Sequence, residues 1–276
     1  MPRIDVARYV WPAVRLAVIA IVLLFVFAQF IRRNGMFFPS PYPVGDWSRT
    51  DAVDVRFRTT DGLTLHGWFF RAANPAAPLV VWCHGNGGNV SDRGAIAAKL
   101  AQRGLSVLVF DWRGYGKSEG VPSEPKLYDD ALAAYDFAAR ELHPSYIAMY
   151  GESLGGPYAA YVATRRKVRC VVIENSLPSL RELGNQLYFP LPLGWFAPFA
   201  MTTTKWLNEA NVPVLVMHGK RDAVIPFALG KRLYDGLRVP RKEMLVAEHA
   251  GHGEIPFAEP RYYDTVVRFV LAAGST

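Results

Sequence analysis

The distribution of apolar residues along the chain predicts alternating strands and helices. Residues 53–59 alternate apolar and polar side chains, and the Asp61-Gly62 turn leads into a second run over 63–70, so the pair predicts a β-hairpin. Short, mostly apolar runs typical of buried strands follow at 78–83, 106–110, 146–150, 170–174, 212–217 and 242–247. Helical spacing occurs between and after them, at 93–102, 126–142, 154–165, 227–237 and 260–272. This order predicts an α/β fold, with a mostly parallel twisted sheet of about eight strands and helices on both faces.

The first 33 residues contain an apolar run that the alternating pattern does not explain. Positions 16–31 are apolar except for Gln29, and Arg15 and the pair Arg32-Arg33 border them. Because a membrane span needs about 20 apolar residues, we expect 1–33 to form a single-pass amino-terminal membrane anchor. A cleaved secretory signal and a buried amphipathic helix are the alternatives, and the arginines on both sides leave the orientation undecided.

The next segment, 34–52, carries three prolines at alternate positions and no helical period. It is therefore predicted to be an extended tether, which leaves 53–276 as the α/β domain.

Composition narrows the class of protein. Of the 276 residues, 51% are hydrophobic and 20% charged, which excludes a disordered chain. Two cysteines without a C-x-x-C spacing exclude a disulfide framework and argue against a structural zinc site. The net charge of +7 comes from scattered lysines and arginines with no nucleic-acid-binding motif, so no nucleic-acid partner is expected. An anionic membrane surface and a generally basic surface account for that charge equally well.

A Gly-x-Ser-x-Gly motif provides the first candidate for chemistry. Gly151-Glu152-Ser153-Leu154-Gly155 lies between a predicted strand and a predicted helix. The two glycines allow a sharp turn that lifts the Ser153 hydroxyl to the head of the helix, where it is exposed as a nucleophile. The alternative is a serine that only caps the helix.

A serine nucleophile needs a base and an acid that orients the base. Asp222 follows the predicted strand at 212–217, and His252 follows the strand at 242–247, so a parallel sheet would bring both near Ser153. His249 is the competing base and Glu174 the competing acid. The histidines of two other His-Gly turns, His84 and His218, are interpreted as structural.

The glycine-rich loop after the strand at 78–83 is the second part of the candidate site. Its backbone N–H groups are available to a ligand, and that of Asn86, together with that of Leu154 at the helix start, is expected to form an oxyanion hole. A phosphate-binding loop is the weaker interpretation, because the Walker spacing and its Lys-Ser/Thr pair are missing.

Five segments resemble the serine α/β-hydrolase superfamily: HGNGGN at 84–89, DWRGYGKSEG at 111–120, GESLGG at 151–156, HGKRDAVIP at 218–226 and HAGH at 249–252. They are most similar to its branch of amino-terminally membrane-anchored α/β-hydrolase-domain proteins, related to the prolyl-oligopeptidase-like hydrolases. The resemblance covers about residues 36–272. It implies hydrolysis of esters, thioesters or amides with no metal or organic cofactor.

By the pattern of that family, Ser153 is the nucleophile, Asp222 the acid and His252 the base, and the N–H groups of Asn86 and Leu154 hold the oxyanion. The dehalogenase branch is disfavoured, because its aspartate nucleophile is replaced by a serine here.

Residues 176–211 interrupt the strand–helix rhythm with prolines and aromatic residues, and in this fold such a stretch forms a small cap over the nucleophile. We expect Leu187, Phe189 and Trp195 of this cap, together with Tyr115, to contact substrate. The alternatives are a cap that makes no substrate contact and a packing role for Tyr115.

An apolar cap beside a membrane anchor favours a small or lipid-like acyl substrate. The sequence therefore predicts a membrane-tethered serine esterase or thioesterase of the lipase-like kind. A peptidase or amidase with the same residues and a non-catalytic membrane-bound scaffold remain alternatives.

Overall fold

The computed structural model describes residues 7–34, 37–40, 42–47, 50–191, 193–197 and 200–274. The strands are β1 (Phe38–Pro39), β2 (Val53–Arg58), β3 (Thr64–Phe70), β4 (Leu79–Cys83), β5 (Gly87–Gly88), β6 (Ser106–Phe110), β7 (Ile147–Glu152), β8 (Val171–Glu174), β9 (Val214–Gly219) and β10 (Lys242–Ala247). The helices are α1 (Ala7–Asn34), α2 (Val90–Ala101), α3 (Glu124–Glu141), α4 (Gly155–Arg165), α5 (Leu180–Leu187), α6 (Thr203–Ala210), α7 (Phe227–Asp235), α8 (Ile255–Ala258) and α9 (Tyr262–Ala273).

The central sheet has eight strands in the order β10-β9-β8-β7-β4-β6-β3-β2. The hairpin β2–β3 and the pair β3–β6 are antiparallel, and the other neighbouring pairs are parallel. The prediction of a mostly parallel sheet of about eight strands covered by helices is therefore confirmed. In this topology the carboxyl ends of the parallel strands meet at one edge of the sheet, where α/β proteins bind their ligands.

Two apolar layers hold the helices on the sheet, and β4 shows how one strand serves both. Leu79, Val81 and Cys83 pack into the layer shared with α3, α4, α6 and α7, whereas Val80 and Trp82 pack into the layer shared with α2 and α9. All five side chains are buried. Since successive side chains of a strand point to opposite faces, a continuous apolar run is what a strand covered on both sides requires.

The amino-terminal segment corrects one prediction. Within the described part of the chain, no helix combines the length and the apolar character needed to cross a membrane. The prediction of a single-pass membrane anchor over 1–33 is therefore wrong. The uncharged stretch of α1 covers only positions 16–31, between Arg15 and Arg32, and these 16 positions are fewer than the roughly 20 that a span requires.

The predicted tether at 34–52 contacts the domain in its described residues. β1 pairs in parallel with β5 of the glycine-rich loop. The backbone N–H of Val44 donates to the Ser91 hydroxyl at 2.8 Å, and the Trp47 ring packs edge-on against Trp68 at 5.1 Å. Residues 37–40 and 42–47 thus contribute to the surface of the domain and support its glycine-rich loop, instead of forming a free linker.

The stretch 176–211 connects β8 to β9 across the edge of the sheet that carries the glycine motif. It contains α5, a short 3-10 turn at Leu193–Phe196, and α6. The hydroxyl of Ser179 accepts a hydrogen bond from the N–H of Glu182 and so caps the start of α5. Because β8 ends at Glu174 and α5 begins at Leu180, the start of α5 lies close to the carboxyl end of β8.

Candidate active site

Ser153 occupies a sharp turn between β7 and α4. Its backbone adopts a φ of 52°, an uncommon value for a residue with a side chain. The N–H of Ser153 donates to the carbonyl of Glu174 at 2.8 Å, which holds the turn against β8. Backbone strain held in place by neighbouring structure is typical of residues with a chemical role.

The glycines beside Ser153 are required by close packing. A Cβ at Gly155 would collide with the carbonyl oxygen of Cys83 in β4, and one at Gly156 would collide with the Ser176 hydroxyl. The first turn of α4 thus packs directly against β4 and against the segment that follows β8. The spacing of the glycine motif therefore determines where the serine lies.

Three side chains from separate loops form a hydrogen-bonded chain at this turn. His252 Nε2 lies 2.9 Å from Ser153 Oγ, and His252 Nδ1 lies 2.8 Å from Asp222 Oδ2. Since a carboxylate only accepts, Nδ1–H donates to Asp222 and Nε2 is left to accept the serine proton. The structure thus brings Ser153, His252 and Asp222 together in the geometry of a nucleophile, a base and an orienting acid.

The loop after β9 holds Asp222 in place. Its Oδ1 accepts hydrogen bonds from the N–H groups of Val224 and Ile225, at 2.9 and 2.8 Å. The carboxylate is fully buried, and its second oxygen faces His252. An acid fixed in this way presents one oxygen to the imidazole and keeps the ring in one orientation.

The competing candidates have other partners. Glu174 lines the cleft, but its carboxyl accepts a hydrogen bond from the Tyr150 hydroxyl, whereas Nδ1 of His252 is bonded to Asp222. Burial, followed by the nearby charge of Glu152, raises the pKa of Glu174 to about 8. His249 is exposed at the surface, where its Nδ1 lies 3.3 Å from Nη2 of Arg221.

The two histidines of the other His-Gly turns are buried and bonded to backbone. His218 Nε2 donates to the carbonyl of Ile225 at 2.8 Å, and His84 Nδ1 donates to the carbonyl of Gly85 at 2.7 Å. Burial lowers the pKa of His84 to about 4 and lowers that of His218 as well, so both rings are neutral at pH 7. Each of them holds its own loop in shape.

The residues expected to supply the oxyanion hole, Asn86 and Leu154, both line the cleft beside Ser153. The Asn86 carbonyl accepts the Tyr115 hydroxyl at 2.6 Å and the N–H of Phe38 at 3.2 Å. Tyr115 is fully buried and does not line the cleft. Its position gives it the alternative packing role, in support of the glycine-rich loop, and not the predicted contact with substrate.

The cleft over Ser153 has a volume of about 530 Å³, within the range of small-molecule sites. One part of its wall is apolar and comes from the cap, the loop after β9 and α8. It is lined by Leu177, Leu180, Leu183, Val224, Ile225 and Phe257. The other part is polar and charged, and is lined by Asn86, Asp92, Arg93, Glu152 and Glu174.

The three cap residues predicted to contact substrate do not line this cleft. Leu187, Phe189 and Trp195 are 50%, 83% and 66% exposed. The cap uses the first turns of α5 instead, where Leu180 and Leu183 are spaced three apart and face inward. That spacing was readable in the sequence, but it did not indicate which face of the cap would turn toward Ser153.

Sequence reasoning also missed two charged residues of the site, Arg93 and Glu152. They are 59 positions apart and meet beside the nucleophile, where Arg93 Nη2 lies 2.6 Å from Glu152 Oε1. Glu152 lies inside the Gly-x-Ser-x-Gly motif and Arg93 follows the glycine-rich loop, and these positions were the signal that the sequence offered.

Metal chemistry was not expected from the sequence. Among the residues described by the structure, no group of three or more His, Cys, Asp and Glu side chains could hold a metal ion. Cys83 and Cys170 are both buried, and burial raises the pKa of both thiols.

An eight-stranded, mostly parallel sheet with a Gly-x-Ser-x-Gly turn after β7 and an Asp and a His on the loops after β9 and β10 defines an α/β hydrolase. Comparison with known proteins agrees. The family model described as serine aminopeptidase, S33, matches residues 74–185. The chain is also 31% identical to alpha/beta hydrolase domain-containing protein 17C of Xenopus tropicalis, covering 82% of this chain and 73% of the relative. The chain belongs to the α/β-hydrolase family.

Further relatives extend the likeness. An uncharacterized protein of Mycobacterium tuberculosis, Rv2307c, is 34% identical over 90% of both chains. The lysophosphatidylserine lipase ABHD12 of Danio rerio is 30% identical over 70% of this chain and 53% of its own. Among solved structures, the esterase Pf2001 of Pyrococcus furiosus matches with a TM-score of 0.69 and 24% identity, covering 87% of this chain and 98% of its own. That likeness shows the shared fold.

Proposed function

We propose that this protein is a serine hydrolase that cleaves acyl esters or thioesters. The observation that carries the proposal is the hydrogen-bonded chain Ser153–His252–Asp222 at the wall of a cleft with an apolar side. A serine hydroxyl becomes an effective nucleophile only when a base accepts its proton, and this geometry provides that base. The relative with lysophosphatidylserine lipase activity supports an acyl substrate.

The reaction follows from the positions of these groups. Ser153 Oγ attacks the carbonyl carbon while its proton passes to His252 Nε2, and Asp222 stabilises the resulting imidazolium. The carbonyl oxygen becomes an oxyanion that the N–H groups of Asn86 and Leu154 hold. The tetrahedral intermediate then collapses. His252 gives its proton to the leaving alcohol or thiol, and the acyl group stays on Ser153. Water repeats the same steps on the acyl-enzyme and releases the acid.

The two sides of the cleft suggest how the substrate lies. An acyl chain is favoured against Leu177, Leu180 and Leu183, because burying its methylene groups there contributes about 0.8 kcal/mol each. The alcohol or thiol portion then faces the side of Arg93 and Glu152. Hydrolysis of amides is the second candidate, favoured by the name of the matching family model.

The test is hydrolysis by the full chain of p-nitrophenyl esters with acyl groups of graded length, alongside matched p-nitroanilides. We expect ester turnover that Ser153→Ala abolishes, together with loss of labelling by a fluorophosphonate probe. Faster turnover of the anilides would favour the amidase. A folded protein that neither turns over esters nor reacts with the probe would refute the proposal and favour a non-catalytic scaffold.

A further inference from the structure

Arg93 joins the two parts of the candidate site. It lies in the first turns of α2, directly after the glycine-rich loop, and its side chain is 11% exposed. Its Nε and Nη2 donate to the two carboxylate oxygens of Glu152 at 3.0 and 2.6 Å, a bidentate pair. Its remaining nitrogen, Nη1, donates to the carbonyl of Gly87 at 2.9 Å. One guanidinium therefore binds both the turn that carries Ser153 and the loop that carries Asn86.

The glycine-rich loop is shaped around this side chain. A Cβ at Gly88 would lie 2.5 Å from Arg93 Nη1, and one at Gly85 would lie 3.1 Å from Glu152 Oε1. Gly88 also has a φ of 83°, which disfavours any side chain there. Glycine at these two positions thus allows the loop to pass close to the Arg93–Glu152 pair.

The ion pair is suited to holding a fixed geometry. Burial by itself would lower the pKa of Arg93 and raise that of Glu152, yet their mutual attraction and hydrogen bonds reverse both shifts. Both groups are therefore charged at pH 7. Bidentate pairs of this kind are among the stronger hydrogen bonds in proteins and add directional specificity.

The two anchored points lie next to the reacting groups. Glu152 directly precedes Ser153, and Gly87 directly follows Asn86. The Asn86 carbonyl, which belongs to the next peptide unit along the loop, is also held, because it accepts from Tyr115 and Phe38. Arg93 thus holds the loop through the Gly87 carbonyl, and Tyr115 holds it through the Asn86 carbonyl.

We infer that Arg93 is a positioning residue that keeps the N–H of Asn86 at the right distance from Ser153 to bind the oxyanion. The inference rests on the proposed serine-hydrolase function. It assigns Arg93 no contact with the reacting atoms: its effect on the rate passes through the glycine-rich loop.

The test replaces Arg93 by lysine in the full chain. Lysine keeps the positive charge, but one ammonium cannot form the bidentate pair and reach the Gly87 carbonyl at the same time. Since loss of one oxyanion donor lowers turnover about 10²- to 10³-fold, we expect R93K to lower kcat by about 10²-fold. KM should change much less, because lysine keeps the positive charge that faces the leaving group. Circular dichroism and thermal unfolding check that the variant is folded.

A second readout separates positioning from general destabilisation. A trifluoromethyl ketone adds Ser153 Oγ to its carbonyl carbon, the serine proton passes to His252, and the carbonyl oxygen becomes an oxyanion held by the same donors. Its inhibition constant should rise in R93K by about the factor by which kcat falls. A purely structural role would leave the two factors uncorrelated.

Two further variants complete the design. E152Q keeps one acceptor for Arg93 and most of the packing, so it should lower kcat in the same direction but less. The matched control is R268K, because Arg268 Nη2 also lies 2.6 Å from a glutamate, Glu243, but at the exposed surface away from the cleft. R268K should leave kcat and ketone binding unchanged.

The outcomes distinguish the two levels of inference. If the unmodified protein hydrolyses esters and folded R93K and E152Q keep its kcat, the positioning role of Arg93 is overturned and the proposed function stands. If the unmodified protein neither turns over esters nor reacts with the fluorophosphonate probe, the proposed function fails and the role of Arg93 fails with it.

Discussion

Two histidines of this protein have both ring nitrogens engaged by side-chain oxygens, but in different surroundings. His252 lies between Asp222 at 2.8 Å and the Ser153 hydroxyl at 2.9 Å, and its side chain is 25% exposed at the cleft. His66 lies between two carboxylates, Asp111 at 2.9 Å and Asp54 at 3.0 Å, and its side chain is fully buried.

The difference lies in what the second nitrogen faces. A hydroxyl both donates and accepts, so Nε2 of His252 can take up a proton and give it back. A carboxylate only accepts, so both sides of the His66 ring face acceptors, and the ring links two carboxylates. Asp111 also accepts the N–H of Val90 at the start of α2, so the His66 cluster braces the helix that carries Arg93. One histidine is placed for proton transfer and the other for structure.

The largest expected effect comes from His252→Ala. Removing the base should lower kcat by roughly 10⁴- to 10⁶-fold while the free energy of unfolding changes little. Steady-state kinetics and urea unfolding measure the two quantities. His249→Ala is the matched control from the same loop and should leave kcat unchanged. Equal losses in both variants would contradict the assignment of the base.

His66→Ala should show the opposite pattern. Removing it takes away the ring that links the two carboxylates and leaves the buried Asp111 without that hydrogen-bond partner, so we expect the free energy of unfolding to fall by about 3 kcal/mol. Urea unfolding measures this loss, and kcat of the folded protein should stay within about 10-fold. A stably folded His66→Ala protein as inactive as His252→Ala would overturn the contrast between the two histidines.

Glu174→Gln tests a buried carboxyl group that lines the cleft, through the pH dependence of stability. The pKa of Glu174 is about 8 in the folded protein, above its ordinary value, so the folded state keeps a proton that the unfolded state has lost. The free energy of unfolding should therefore decrease as the pH rises from about 5 to 8, by at most about 1.4 kcal/mol per unit. In Glu174→Gln that part of the slope should disappear. Unfolding curves at several pH values check it, and parallel profiles for the two proteins would contradict it.

Asp54→Asn should have the smallest effect. The Asp54 side chain is 53% exposed, so solvent screens its interaction with His66, and the substitution should cost at most about 1 kcal/mol of stability. Unfolding in low and high salt measures the difference, which should shrink as salt increases. A loss as large as that of His66→Ala would show that the exposed carboxylate matters more than the buried Asp111.

Much of the candidate site was readable from the sequence because its determinants are local. The glycines around Ser153 force a turn whose geometry depends on neighbouring residues, and the order of strands places the loops of Asp222 and His252 at the same edge of the sheet. The buried strands were readable for the same reason, since continuous apolar runs of their length suit few other environments.

The amino-terminal helix shows where a local pattern misleads. The apolar run at 16–31 indicated a membrane anchor, yet no described helix meets the length and apolar character of a span. Composition in a short window did not separate a span from an apolar helix bordered by arginines.

The cap and the Arg93–Glu152 pair could not have been predicted. Aromatic content pointed to Phe189 and Trp195, but the orientation of α5 turns Leu180 and Leu183 toward Ser153 instead. Nothing in either local sequence links Arg93 to Glu152, because they meet only when α2 packs across the end of β7.

From the sequence we could predict the class of fold, the position of the serine turn and the chain order of the three residues expected to act there. These depend on periodicity and on glycine, which act over a few residues. The folded chain was needed to show which surface faces the nucleophile, which histidine faces a hydroxyl and which faces two carboxylates. It was also needed to show which cation joins the glycine-rich loop to the turn of Ser153. Such pairings depend on how distant segments pack, because a side chain acquires its partners only when the chain folds.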